Sequence, residues 1–180
     1  MTLKEIVKLC NQMAELAVEE GCFAEGGQPD AIAKKVVECF NCVTEQLYCD
    51  FATALCTCKV TSQNGVIDVS TMRLNRVVSL TDSFGNNVPY RYTEGGIAVP
   101  DGTYTLTFAL LPQKTEWEEE VKLPSPRITE RIVAYGVVAE YFFQTGDYAA
   151  ANAWESRFKN ALRLATVKTS SMNLHVGRWT

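Results

Sequence analysis

The chain has 180 residues, 47% of them apolar and 21% charged, with 17 basic and 21 acidic side chains and a net charge of −4. This balance fits one ordinary globular domain, or one domain with an insert, and excludes a disordered chain, a collagen-like chain and a multi-pass membrane protein. No apolar run approaches the ~20 residues that span a bilayer, the first residues lack the apolar core of a signal peptide, and no segment has the dense basic footprint that grips nucleic acid.

Residues 2–24 have helical spacing, with Thr2 and Glu5 at the separation of a capping box and an apolar series Leu3, Ile6, Val7, Cys10, Met13. Gly26-Gly27-Gln28-Pro29-Asp30 reads as a short turn. Residues 30–48 form a second predicted helix, with Ile32, Val36, Val37, Phe40, Val43 and Leu47 on one face. Two helices joined by a short turn predict an antiparallel αα-hairpin.

The period then changes from 3.6 to 2. Phe51 to Val60 is strand-like, Gln63-Asn64-Gly65 is a hairpin signal, and strands follow at 66–69, 75–82, 88–92, 96–99 and 104–111. Pro112 closes this series. Residues 113–126 are acidic and carry prolines at 124 and 126, so they read as a linker whose Glu118-Glu119-Glu120 run is solvated. A third helix is predicted over 127–145. Gly146 stops it, Asp147 caps a fourth helix, and that one runs to about residue 166.

These elements predict an α+β fold: a four-helix bundle of two αα-hairpins, an inserted small antiparallel β-domain and an extended C-terminal tail. The boundaries are 1–50 for the first hairpin, 51–113 for the β-insert, 114–168 for the second hairpin and 169–180 for the tail. Charge divides unevenly over the parts. Residues 1–50 carry 4 basic and 9 acidic groups, 51–113 carry 4 of each, and 114–180 carry 9 basic and 8 acidic.

Chemistry-bearing residues are sparse. Seven cysteines, an odd number, fit free thiols in a reducing compartment rather than a closed disulfide framework. Cys39, Cys42, Cys56 and Cys58 could supply four thiolates to zinc. However, the first two lie inside a regular helix and the second two on one face of a strand, where cysteine packs as a small hydrophobe. His175 is the one histidine, so a histidine-based nucleophilic site would have to use it from a segment with no helical period. Neither phosphate-binding glycine motif occurs. The expectation is a protein that is not an enzyme, without metal or cofactor.

Two features point to protein contacts instead. The aromatics Tyr135, Tyr141, Phe142, Phe143, Tyr148, Trp154 and Phe158 exceed what one hairpin interior requires. The tail carries Leu174, His175, Arg178 and Trp179 in otherwise polar sequence, and these are the candidate contact residues. The tail reads either as a disordered end or as a segment that orders on a neighbouring chain.

Residues 134–162, with Tyr141, Gly146-Asp147-Tyr148, Ala151, Phe158 and Ala161-Leu162, resemble a single tetratricopeptide unit. A solenoid needs about three, and no second copy is present. Most of the chain resembles the head-to-tail adaptor (neck, head-completion) proteins of tailed bacteriophages, of the tail tubular protein A type. The resemblance is carried by the segment 2–48, Gly96 to Phe108, Ala134 to Tyr141, Ala153-Trp154, Arg157-Phe158 and Arg178-Trp179. It implies a structural virion protein of the neck, assembled in the bacterial host cytoplasm. The implied assembly is a ring of about twelve copies. That ring would sit between the portal and a tail or nozzle protein, with double-stranded DNA passing through it without specific binding. The alternatives are a tail-completion or tail-terminator protein of a phage, or a small non-enzymatic interaction module.

Overall fold

A computed structural model describes residues 1–51 and 54–166. The order is α1 (Leu3–Ala14), α2 (Ala31–Gln46), β1 (Leu55–Ser62), β2 (Val66–Ile67), β3 (Leu74–Thr81), β4 (Arg91–Thr93), β5 (Gly96–Ala98), β6 (Gly102–Leu110), α3 (Glu130–Thr145) and α4 (Tyr148–Thr166).

The capping box at the start of α1 is formed. The Thr2 amide donates to Glu5 Oε2 at 2.7 Å, and the Glu5 amide donates to Thr2 Oγ1 at 3.4 Å. The helix ends ten residues earlier than its apolar spacing predicts. Glu15 closes it in the left-handed region at φ 49°, and Ala17 follows at φ 61°. For side chains other than glycine this conformation is unfavourable. It is held by the Asn11 side chain, whose Oδ1 accepts from the Val18 amide at 3.1 Å, and by burial of Leu16 and Val18 on either side of Ala17.

That early stop overturns the four-helix bundle of two hairpins. The connection from α1 to α2 is a packed segment with a 3-10 turn at Glu20–Phe23, and the two helices touch one another only lightly. Both lie against α3, and so does α4, which makes α3 a hub shared by the other three helices. Its sequence explains why. Val133, Ala134, Gly136, Val137, Val138 and Ala139 are buried consecutively or nearly so, leaving no wide polar face, and a helix apolar around its girth needs neighbours on several sides.

The segment after the strands also departs from a solvated linker. The Leu3 and Lys4 amides, which have no partner within α1, donate to Glu119 O and Trp117 O, each at 3.0 Å. The Val121 amide donates to Met1 O at 3.0 Å. Trp117 is buried in the helical core, and its indole N–H donates to Gly27 O at 3.0 Å.

The strands form two three-stranded antiparallel sheets rather than one small unit, in orders β1-β6-β3 and β2-β5-β4. In the first, β6 is central and pairs with β1 without a break from Leu55↔Ala109 to Ser62↔Gly102. The predicted Asn64-Gly65 turn forms with φ of 56° and 78°, the doubly left-handed geometry of a two-residue hairpin. It carries the chain from one sheet into the other. Gly96 must be glycine: its φ is 135°, and a Cβ would run into the Ile67 carbonyl oxygen. Val60, Leu80, Leu106 and Phe108 of the first sheet and Ile67 and Ile97 of the second share one apolar cluster, separate from the helical one.

Candidate functional site

The thiols do not assemble. Burial pushes both Cys10 and Cys39 up to about 12, with neighbouring acidic and thiol groups adding to the shift. Such thiols stay protonated and are poor nucleophiles or metal ligands. Cys42 is exposed, while Cys56 and Cys58 are half-buried against the sheet cluster. Among the described residues no three His, Cys, Asp or Glu side chains are grouped to hold a metal, so Cys39, Cys42, Cys56 and Cys58 are not brought to one point. Of the Glu118–Glu120 run, Glu118 pairs with Lys4 Nζ at 3.2 Å, and Glu119 accepts from the Glu116 amide at 2.8 Å. Leu174, His175, Arg178 and Trp179 lie outside the described residues.

The surplus of aromatics resolves into three groups. Phe158 is buried in the helical core, and Tyr141 and Phe142 are half-buried against it. Tyr135 and Trp154 form a ladder with two arginines on the α3–α4 surface. Arg131 Nε donates to the Tyr135 hydroxyl at 2.9 Å, the Tyr135 and Trp154 rings are 5.8 Å apart, and Arg157 Cζ lies 4.5 Å from the Trp154 ring. Phe143 and Tyr148, by contrast, are 59% and 60% exposed and contact each other edge-on at 5.7 Å. They flank the turn where α3 passes into α4.

That turn is built from local signals. Gly146 adopts φ 88°, and the Asp147 amide donates back to Phe142 O at 3.0 Å. Asp147 Oδ1 then accepts from the Ala150 amide at 3.0 Å and starts α4. The two helices are thereby brought antiparallel, and α2 crosses beside them.

A cleft of about 340 Å³ opens where α2, α3 and α4 meet. Its floor is Val43, Gly136 and Phe158, and Phe51 and Phe143 stand at its rim. Glu140 and Glu155 supply its carboxylates. Glu140 accepts from the Gln144 side chain at 2.8 Å, and Glu155 pairs with Lys159 at 2.6 Å. Phe143 belongs to the aromatic surplus visible in the sequence. Gly136 does not stand out there, although a glycine inside a strongly helical stretch is the available signal. Phe51 reads as the first residue of a strand, yet it closes a π-helical turn, Leu47–Phe51, that prolongs α2 towards the cleft.

A second cleft, of about 420 Å³, lies where the end of α2 meets Arg73, Lys114, Glu119 and Lys122, a lining with charges of both signs. The Thr44 hydroxyl at its base is, among the described residues, the buried side-chain polar atom without a hydrogen-bond partner.

No protein-family model matches the chain, and no curated protein matches it.

Proposed function

We infer that the chain is a structural virion protein, a head-to-tail adaptor that forms a ring between the portal and the tail of a bacteriophage and extends the DNA channel. The observation that carries this reading is the aromatic-rimmed cleft. Phe51 and Phe143 are 44% and 59% exposed in a single chain, beside a floor of core residues. Exposed aromatic rings at the rim of a cleft suit a protein–protein contact. The resemblance of the segments around Gly96–Phe108 and Ala134–Tyr141 to phage neck proteins supplies the identity of the partners. A net charge of −4 suits a channel through which phosphates must slide without being held.

In a ring each copy presents two different surfaces to its two neighbours, and closure sets the copy number. Light scattering coupled to size exclusion, with and without the portal encoded nearest to this chain, tests the reading. The expected result is a closed ring, or a portal-bound complex of about twelve copies. A monomer that ignores the portal overturns it. A ring of another symmetry without portal affinity transfers the role to tail completion or tail termination.

A further inference from the structure

We propose that the cavity at the end of α2 binds a small organic molecule by its oxyanionic head, a phosphate or a carboxylate, held between the Thr44 hydroxyl and the cations Arg73, Lys114 and Lys122.

The lining selects the charge of the ligand. Arg73, Lys114 and Lys122 all border the cavity, and none of them forms an ion pair among the described residues. The carboxylates of the lining are engaged. Glu119 accepts from the Glu116 amide at 2.8 Å, and Glu120 pairs with the Met1 amino group at 4.0 Å. Cations and hydroxyls remain, and these are donors that suit an ionised acceptor. A metal ion fits poorly, because among the described residues Glu119 and Glu120 have no third His, Cys, Asp or Glu grouped with them.

Thr44 is an independent sign of a ligand. It is 4% exposed, and its hydroxyl has no hydrogen-bond partner. A threonine in a helix commonly bonds the carbonyl one turn back, as Thr145 does to Tyr141 O and Thr166 to Leu162 O, each at 2.9 Å. Thr44 forgoes that bond, and a buried hydroxyl left unpaired destabilises a fold unless a partner arrives from outside. Tyr48 lines the cavity four residues further on. Its hydroxyl donates to Lys122 O at 3.4 Å, a long bond that a charged acceptor can replace. Burial raises the Tyr48 phenol and the Arg73 guanidinium opposes that rise, which places this cation near the hydroxyl. The volume of about 420 Å³ is that of a small-molecule site, and Leu110, Pro112 and the Tyr48 ring offer an apolar wall to the body of the ligand. Thr44 belongs to α2, whereas Arg73 immediately precedes β3 and Leu110 ends β6, so a bound molecule bridges the helices and the first sheet.

Isothermal titration calorimetry of the full chain at low salt tests the site with phenyl phosphate, benzoate, phenol and benzylammonium, which share a ring and differ in charge. The expected result is saturable binding of phenyl phosphate or benzoate, about tenfold or more tighter than phenol and benzylammonium. The tighter of the two anions tells a phosphate head from a carboxylate. Thr44→Val keeps the side-chain shape and removes the hydroxyl. It should weaken the anion about tenfold and leave the free chain at least as stable in urea, since the lost hydroxyl has no partner. Arg73→Gln and Lys122→Gln alter exposed side chains, so the fold is kept, and they should weaken the anion to a similar degree. Arg157→Gln, outside the cavity, should leave binding unchanged. Absence of saturable binding by either anion at millimolar concentration overturns the proposal. So does affinity that phenol or benzylammonium matches, binding that Thr44→Val leaves unchanged, or binding indifferent to both Arg73→Gln and Lys122→Gln.

Discussion

Gly136 and Phe158 are so close that a Cβ on the glycine would lie 3.0 Å from Phe158 Cε2, and on its other side 2.9 Å from Val43 Cγ1. One missing methyl group lets α2 and α4 approach α3 at the same level. Alanine would favour the helix by about 1 kcal/mol. It would also press on a β-branched valine with little freedom to move and on a buried ring, and overpacking of this kind costs about 1–3 kcal/mol. Gly136→Ala is expected to lose a net ~0–2 kcal/mol in urea unfolding, and Gly136→Val more. A stabilised Gly136→Ala chain would show that the three helices can part without cost.

The tryptophans Trp117 and Trp154 are expected to behave differently. Trp117 is 8% exposed, lies 6.3 Å from the Phe23 ring and donates to Gly27 O. Trp117→Ala should cost roughly 3–5 kcal/mol, and Trp117→Phe should restore all but about 1 kcal/mol from the lost indole bond. Trp154 is half-buried between Tyr135 and Arg157, so Trp154→Ala should cost only roughly 1–2 kcal/mol. Equal losses in denaturant unfolding would contradict the placement of Trp117 in the core.

Asp30 ties the end of the α1–α2 connection to α2. Its Oδ1 accepts from the Ala33 amide at 2.6 Å and its Oδ2 from the Glu19 amide at 2.9 Å. Partial burial opposes the charge, but these amides outweigh it and hold the carboxyl below its ordinary value. A carboxyl depressed on folding stabilises the fold above its unfolded pKa, and that contribution is lost as pH falls below ~4. Asp30→Asn should therefore flatten this part of the acid limb of the stability profile while keeping the cap. Asp30→Ala should lose roughly 0.5–2 kcal/mol at neutral pH. An unchanged acid limb in Asp30→Asn would assign the acid sensitivity elsewhere.

Thiol labelling reports the packing of α1 and α2. Exposed Cys42 should react with Ellman's reagent in the native protein, whereas Cys10, Cys22 and Cys39 should react only on unfolding. Burial raises Cys10 and Cys39 to about 12, so their protonated forms favour the folded state. That preference is complete below the ordinary thiol value of ~8.5 and is lost as pH climbs towards the raised value. Fast native labelling of Cys39 would mean that α2 is not closed against α3.

Several features were legible in the sequence because they act over four residues or fewer. The Thr2–Glu5 capping box, the Asn64-Gly65 hairpin turn and the Gly146-Asp147 break each satisfy backbone groups with atoms close along the chain, so residue type and spacing suffice. The cleft was legible only in part. The aromatic surplus marked Phe143, but the contributions of Phe51, Val43 and Gly136 depend on how α2 crosses α3.

Length and patterning alone determined that the chain has an α+β composition, with helices at both ends of a run of strands and local caps and turns at the positions named above. Only the tertiary structure decided which helix is central, that Trp117 belongs to the core, and that the strands divide into two sheets. The physical reason is the same in each case. An apolar side chain at helical or alternating spacing must be covered, but its spacing does not say by what. Residues 11–18 fit a continued helix until Asn11 folds back on Val18. Trp117 reads as part of an acidic linker until Gly27 and Phe23 are brought against it. Partners distant in sequence exist for a residue only after the chain has folded.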